Sequence, residues 1–198
     1  DGLRKIATDK ADVIILGLFT DIYNVGLYKM AKQIASYLSR LSNPIYTALY
    51  TEIARLYHEN GFDRLPRLIR QLTHWLVPGV GVSALLITVL SRPLVPIIFG
   101  TEYTAALPLF YIMMLMHVWL GLIWAPGLLL TLGKARQLTA INLASALTLI
   151  SLLFLLTPTW GATGASIALV ANYWAWTALM IWYIGQIPDL ALWPRRAE

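Results

Sequence analysis

Lys29, Lys32 and Arg40 recur with Gln33, Ser36, Asn43 and Thr47 at helical spacing inside a stretch that is otherwise apolar. A helix advances about 100° per residue, so these seven side chains project within roughly 60° of one direction. Lipid does not take such a stripe, because a cation at the bilayer centre costs on the order of 2.5 to 3.5 kcal/mol. The stripe must face water or an anion, and its chemistry is electrostatic capture of a negatively charged substrate along a passage. Arg40 lies about 15 residues, roughly 22 Å, beyond Val25, which puts it near mid-membrane. Lys29 and Lys32 lie nearer the outer end, where long cationic side chains also snorkel to the interface. For Arg40 the competing role is a structural ion pair with Asp12 or another carboxylate.

A second group stands near the start of the chain. Arg4, Thr8 and Asp12 fall at i, i+4 and i+8, with Lys5 and Asp9 beside them. Opposite charges four residues apart pair along a helix, so this flank reads either as a salt-bridged helix end or as an ion site. Asp12 lies deepest and is the candidate for a carboxylate that couples transport to an ion. His117, alone in its span, is a candidate for titration in a proton-coupled cycle. With Asn142 and Asn172 it equally suits interhelical hydrogen bonding, worth about 0.6 to 2 kcal/mol per bond. Trp119 and Trp124 suit either packing or stacking on sugar rings.

The elements that position these residues are set by composition. The chain is 58% hydrophobic and 13% charged, with a mean hydropathy of +0.65, outside the range of soluble domains. We expect an all-α integral membrane protein, one six-helix bundle over residues 1–188 with a cytoplasmic tail at 189–198. Residues 72–90, 107–132, 138–156 and 162–184 are near or above the roughly 20 residues that cross about 30 Å of hydrocarbon. Residues 3–20 and 25–50 are more polar spans that face an aqueous cavity. The expected outer loop at 91–106 is long enough to cap an exit.

Six spans can be tested against the bias of Lys and Arg toward cytoplasmic loops. Arg4, Lys5, Lys10, Arg55, Arg64, Arg67, Arg70, Lys134, Arg136, Arg195 and Arg196 fall on one side and Arg92 alone on the other. A missed or invented span would scramble that alternation, so both ends read as cytoplasmic. It also argues against the alternative in which residues 25–57 lie flat on the membrane surface. The net charge of +5 and pI near 9.6 follow from this bias and from anionic lipid, without nucleic-acid binding. No cysteine is present, which removes disulfides and thiolate metal sites, and no metal site is expected. The chain opens at Asp1 without a signal-peptide pattern and reads as a piece of a longer protein.

Three prolines mark candidate hinges. Pro44 lacks an amide hydrogen and bends the second span by freeing the Arg40 carbonyl. Pro78, with Gly79 and Gly81, and Pro126, with Gly127, mark further bends where bundle helices rock or kink.

Several short blocks occur in a particular order: residues 12–19 (DVIILGLF), Val25-Gly26-Leu27-Tyr28 with Ala31, Phe99-Gly100-Thr101-Glu102-Tyr103 with Ala106, Gly133-Lys134-Ala135-Arg136, and Gly161-Ala162-Thr163-Gly164-Ala165. The series resembles the C-terminal half of bacterial polysaccharide flippases, in the superfamily that also holds multidrug and toxin exporters and peptidoglycan-precursor flippases. One departure is Tyr50-Thr51-Glu52-Ile53-Ala54, where relatives often carry proline. The resemblance implies two pseudo-symmetric bundles around a central cavity, this chain being one and the missing N-terminal half the other. It implies alternating access that moves undecaprenyl-pyrophosphate-linked oligosaccharide across the bacterial inner membrane for surface polysaccharide, including lipopolysaccharide. Partners would be that lipid-linked cargo, membrane lipids and other polysaccharide assembly proteins. No cofactor is expected beyond a coupling proton or sodium ion. In such a cavity Arg40 would grip phosphate in bidentate fashion, Lys29 and Lys32 would act as point charges, and Gln33, Ser36, Asn43 and Thr47 would bond sugar hydroxyls.

Three other classes make different demands on the residues. A polytopic enzyme of polysaccharide assembly needs a clustered nucleophile, base or metal site, and no HExxH, GxSxG or paired-carboxylate pattern is present. His58 and His74 only flank a cytoplasmic loop. A membrane scaffold needs no cations within a span. A cation-coupled multidrug exporter calls for acidic rather than basic cavity residues.

Overall fold

The computed structural model describes residues 2–60 and 65–187. The expected tail at 189–198, Arg64 and the side chains of Arg4, Lys5, Thr8 and Asp9 lie outside the described residues. Those described form α1 (Gly2–Phe19), α2 (Ile22–Leu41), α3 (Asn43–Asn60), α4 (Leu65–Phe99), α5 (Leu107–Met114), α6 (Ala125–Thr131) and α7 (Ala135–Gly185), with 3₁₀ segments at Thr101–Ala106 and Leu115–Leu122 and no strand. Among the described residues, three stretches are long and apolar enough to cross a membrane: Leu65–Phe99, Thr101–Thr131 and Ala135–Gly185.

The middle stretch, Thr101–Thr131, is the core of the molecule. It is mostly buried, whereas α4 is largely exposed. Val77, Val82, Leu85, Leu86 and Val89 of α4 all point outward, as suits a helix whose solvent on that side is lipid. One apolar cluster gathers Leu16, Tyr28, Ala31, Phe110, Met113, Leu149, Leu153 and Leu169, and a second gathers Ile53, Leu65, Ile69, Trp124, Leu128, Leu129 and Met180. The Thr101–Thr131 stretch runs through both. Its 3₁₀ turn sits where the chain passes closest to α4, since a Cβ on Gly121 would lie 2.9 Å from Val77 Cγ2. A tighter, thinner helix fits that gap.

The expected outer loop at 91–106 is instead mostly helical, because α4 runs through Pro93 and Pro96 to Phe99. The expected span at 25–50 is two helices, interrupted at Ser42, whose amide turns back to the Ser39 carbonyl at 3.2 Å. Pro44 lies in the first turn of α3, where a missing amide costs least. Pro126 likewise opens α6, and Pro78 is carried inside the continuous α4. Gly133, at φ 69°, ends α6: its amide reaches the Leu130 carbonyl and the Lys134 amide reaches Leu129. That paired pattern is a left-handed glycine cap and explains the Gly133-Lys134 block.

Helix α7 has 51 residues but is not straight. Gly161 takes φ 53° and ψ −133°, a region open to glycine alone. Beyond it the chain folds back: Ser145 donates to Asn172 at 3.1 Å, and the Trp176 indole donates to Asn142 at 3.0 Å. Both pairs straddle the bend, so residues 135–160 and 162–185 are antiparallel arms. Gly164 makes this closure feasible, because a Cβ there would overlap the Leu156 carbonyl. Gly161→Ala should destabilise the full-length protein by about 1 to 3 kcal/mol, read as earlier unfolding in detergent. Gly185→Ala, which has open space around it, should leave the transition unchanged. Across the arms, a Ser145→Ala and Asn172→Leu double-mutant cycle should give a coupling of about 0.6 kcal/mol, and no more than about 1.7.

Candidate anion-binding face and its buried carboxylate

Helices α1 and α2 are joined only by Thr20 and Asp21. Asp21 caps α2, its Oδ1 accepting from the Asn24 amide at 3.1 Å, and the two helices turn back on each other. Asp12 of α1 therefore meets two residues one turn apart on α2. Its Oδ2 accepts from the Tyr28 hydroxyl at 2.5 Å and from Lys32 Nζ at 2.7 Å, and its Oδ1 lies 2.8 Å from the Val13 amide. Asp12 and Tyr28 are fully buried, while the Lys32 side chain is 19% exposed. Removing two charges from water costs several kcal/mol per ion, and short, hydrogen-bonded geometry of this kind is what offsets it.

The cations of the stripe thus divide. Lys32 turns inward to Asp12. Lys29 and Arg40 remain exposed, as do Gln33, Asn43 and Thr47, with Ser36 half-buried. Among the described residues neither Lys29 nor Arg40 forms an ion pair. Arg40 places its guanidinium 5.7 Å from the centre of the Tyr37 ring, within cation–π range. Gln33 reaches the Tyr37 hydroxyl at 3.5 Å, Ser36 donates to the Gln33 carbonyl at 2.7 Å, and Thr47 to the Asn43 carbonyl at 3.2 Å. Asn43 and Thr47 are on α3, beyond the interruption at Ser42.

The stripe lines neither of the two described clefts. One, of about 260 Å³, is apolar and lies between Ile34 and Tyr37 of α2 and Leu94, Val95 and Phe99 of α4. The other, of about 370 Å³, lies among Asn24, Leu27, Pro108, Trp160 and Thr163. The cationic face is an open surface, one wall of any passage that it borders.

His117 is buried and ties the central span to α2. Its Nδ1 lies 3.1 Å from the Met114 carbonyl and its Nε2 2.9 Å from the Ala35 carbonyl. Both neighbours only accept, so a neutral ring satisfies one of them and a protonated ring satisfies both. Trp124 is a packing residue, 2% exposed, with its indole N–H on Thr73 at 3.1 Å. Trp119 stacks on Tyr173, with ring centres 6.0 Å apart. At the end of α3, Arg55 bridges Glu52 at 2.6 Å and Glu59 at 2.8 Å. The hydrogen bond from Arg55 holds the Glu52 carboxyl below its usual range.

Two residues of the site were not singled out by the sequence. Tyr28 is the buried partner of Asp12, and Tyr37 underlies Arg40. The signal for Tyr28 was its position one turn before Lys32.

Over 174 residues, 87% of its length, the chain is 28% identical to a protein of Escherichia coli (strain K12) described as a "Putative O-antigen transporter". It covers 42% of that protein, about two-fifths of the relative's length. No family model matches the chain. No solved structure matches it.

Proposed function

We propose that this chain is one six-span bundle of a bacterial transporter that moves undecaprenyl-pyrophosphate-linked oligosaccharide across the inner membrane for surface polysaccharide assembly. The observation that carries this reading is the exposed pair of cations, Lys29 and Arg40, neither in an ion pair among the described residues, on a helix of an otherwise apolar bundle. An anion is the ligand that such a face selects. The E. coli relative supports polysaccharide-related transport as the class.

The six spans are α1, the pair α2 and α3, α4, the Thr101–Thr131 stretch and the two arms of α7. Both ends face the cytoplasm, in keeping with the loop cations. The open cationic face is one wall of a passage whose opposite wall is a second bundle of the full-length protein. Cargo enters that passage from the cytoplasmic leaflet, and the bundles rock to release it on the other side, with Ser42 and Pro44 providing the interruption in the wall. Asp12 and His117 are the groups through which a proton or sodium ion couples to the cycle. A cation-coupled drug exporter of the same superfamily is the second reading. The buried Asp12 favours it, and the exposed Lys29 and Arg40 oppose it.

The test is complementation. A strain lacking the full-length protein should lose surface polysaccharide and accumulate lipid-linked oligosaccharide in the cytoplasmic leaflet, and the wild-type gene should restore export. Unchanged polysaccharide in the deletion strain would remove this function.

A further inference from the structure

The cleft beside Tyr37 joins the cationic face to the apolar side of the bundle. Helices α2 and α4 both pack on α5 and, among the described residues, make next to no contact with each other. The gap between them is the cleft of about 260 Å³, whose α4 wall includes exposed Leu90 and Leu94 and buried Val95. Ser91 offers this gap no free donor, because its hydroxyl donates to the Thr88 carbonyl at 2.7 Å. Tyr37 is the other polar side chain of the lining, and it is shared with the stripe, since the Arg40 guanidinium stands 5.7 Å from the centre of its ring. An apolar slot therefore opens beside a cation that forms no ion pair among the described residues.

The slot has a direction. Ala105 and Pro108, just past the end of α4, share the other cleft with Asn24 and Leu27 near the start of α2. The two helices therefore run in opposite directions, so Tyr37 stands toward Ile87 and the slot rises from there toward Phe99 at the outer end of α4. From Ile87 to Phe99 that wall climbs about 18 Å, more than half of the roughly 30 Å of hydrocarbon. A hydrocarbon chain gains little by leaving lipid for an apolar slot, because lipid tails are as apolar as leucine. Selection must come from the cation. Resident phospholipids of either leaflet keep their phosphates at the interface, outside the hydrocarbon, whereas Arg40 lies near mid-membrane by its position along the span. A phosphate on Arg40 with its chain in this slot is the posture of an inner-leaflet lipid lifted halfway across.

We infer that the cleft between α2 and α4 seats the part of the cargo's polyprenyl chain next to its pyrophosphate, and that Tyr37 divides the chain site from the head site. This inference rests on the lipid-linked cargo proposed above and adds a place for its lipid part. The pyrophosphate lies on Arg40 through charge-assisted hydrogen bonds, and the first prenyl units enter between Tyr37 and Leu94. No covalent bond forms or breaks. The rest of the chain stays in the bilayer, so the lipid part is in apolar surroundings throughout the crossing and only the head and glycan travel along the cationic face.

The experiment uses the purified full-length protein in liposomes of phosphatidylethanolamine and phosphatidylglycerol that contain undecaprenyl-pyrophosphate-linked oligosaccharide. The photoreactive amino acid benzoylphenylalanine replaces Leu94 or Leu90 in the cleft, or Leu86, which is exposed on α4 outside it. Both cleft positions are exposed, so the fold accommodates the larger ring at either. After illumination the adducts are identified by mass. Leu94 and Leu90 should each capture the cargo by its prenyl chain, and Leu86 should capture mainly phospholipid. Arg40→Gln should lower the cargo adducts of the cleft about tenfold or more, the weight of a hydrogen bond to a charged group, and leave the Leu86 adducts unchanged. Phospholipid alone in the cleft, crosslinks from the cleft to the rest of the full-length protein, cargo captured equally at all three positions, or cleft adducts indifferent to Arg40→Gln would overturn the seat. If the wild-type protein still restores surface polysaccharide in the deletion strain, only the seat falls. If complementation fails as well, the cargo assignment falls with it.

Discussion

Arg40→Ala in the full-length protein should reduce surface polysaccharide at least tenfold while its membrane abundance stays at the wild-type level. A hydrogen bond to a charged group is worth about 1.5 to 3 kcal/mol, a factor of about ten to a hundred if it is lost where cargo is captured. Abundance should hold because Arg40 is exposed, forms no ion pair among the described residues and has its guanidinium 5.7 Å from the centre of the Tyr37 ring. Arg40→Lys should rescue export in part, since lysine keeps the charge but not the planar fork that grips two phosphate oxygens. Polysaccharide at the wild-type level in the alanine variant, quantified beside membrane protein, would assign Arg40 to packing on Tyr37 instead.

Lys32→Leu should behave in the opposite way and remove most of the protein from the membrane. It leaves the buried Asp12 carboxylate with the Tyr28 hydroxyl and the Val13 amide but no cation among the described residues. Breaking a buried pair by deleting one partner costs about 3 to 5 kcal/mol, a large share of the 5 to 15 kcal/mol that holds a typical domain together. Adding Asp12→Asn should restore much of the loss, because a neutral amide can stay buried on the Tyr28 hydroxyl. Normal abundance of Lys32→Leu at neutral pH, with unchanged unfolding in detergent, would show that the pair contributes little.

These two neighbours on one helix stripe differ for a reason that the helical angle contains. Lys32 is at the edge of the stripe, roughly 40° from Tyr28, while Arg40 is near its centre. The buried side of α2 is marked by Leu27, Tyr28, Ala31 and Ala35, so the edge residue is the one that reaches a neighbouring helix. Asp12 was legible as the deepest charge of α1. Its partner was not, because pairing depends on how α1 folds against α2, and that follows from the two-residue connection at Thr20 and Asp21.

The apolar stretches were legible from hydropathy, and so was the reversal near Gly161, where a glycine-rich block separates two long runs. The 3₁₀ segment at Leu115–Leu122 was not, since it answers a tertiary demand, the close approach of Gly121 to Val77. Nor was the interruption at Ser42. Pro44 signals a break, but whether it kinks one helix or opens a second depends on what the preceding turn packs against. Trp124 shows the same limit in the site: its type allowed sugar stacking, and its burial against Thr73 assigns it to packing.

The most direct test of the cationic face as a route for lipid-linked cargo is flipping by the purified full-length protein in liposomes. Undecaprenyl-pyrophosphate-linked oligosaccharide is placed in one leaflet, and its arrival in the other is read by an impermeant lectin. Wild type should move the lipid well above empty liposomes, and a Lys29→Gln, Arg40→Gln variant of equal helicity and reconstitution should not. Equal flipping by the variant, or none by the wild type, would contradict the account.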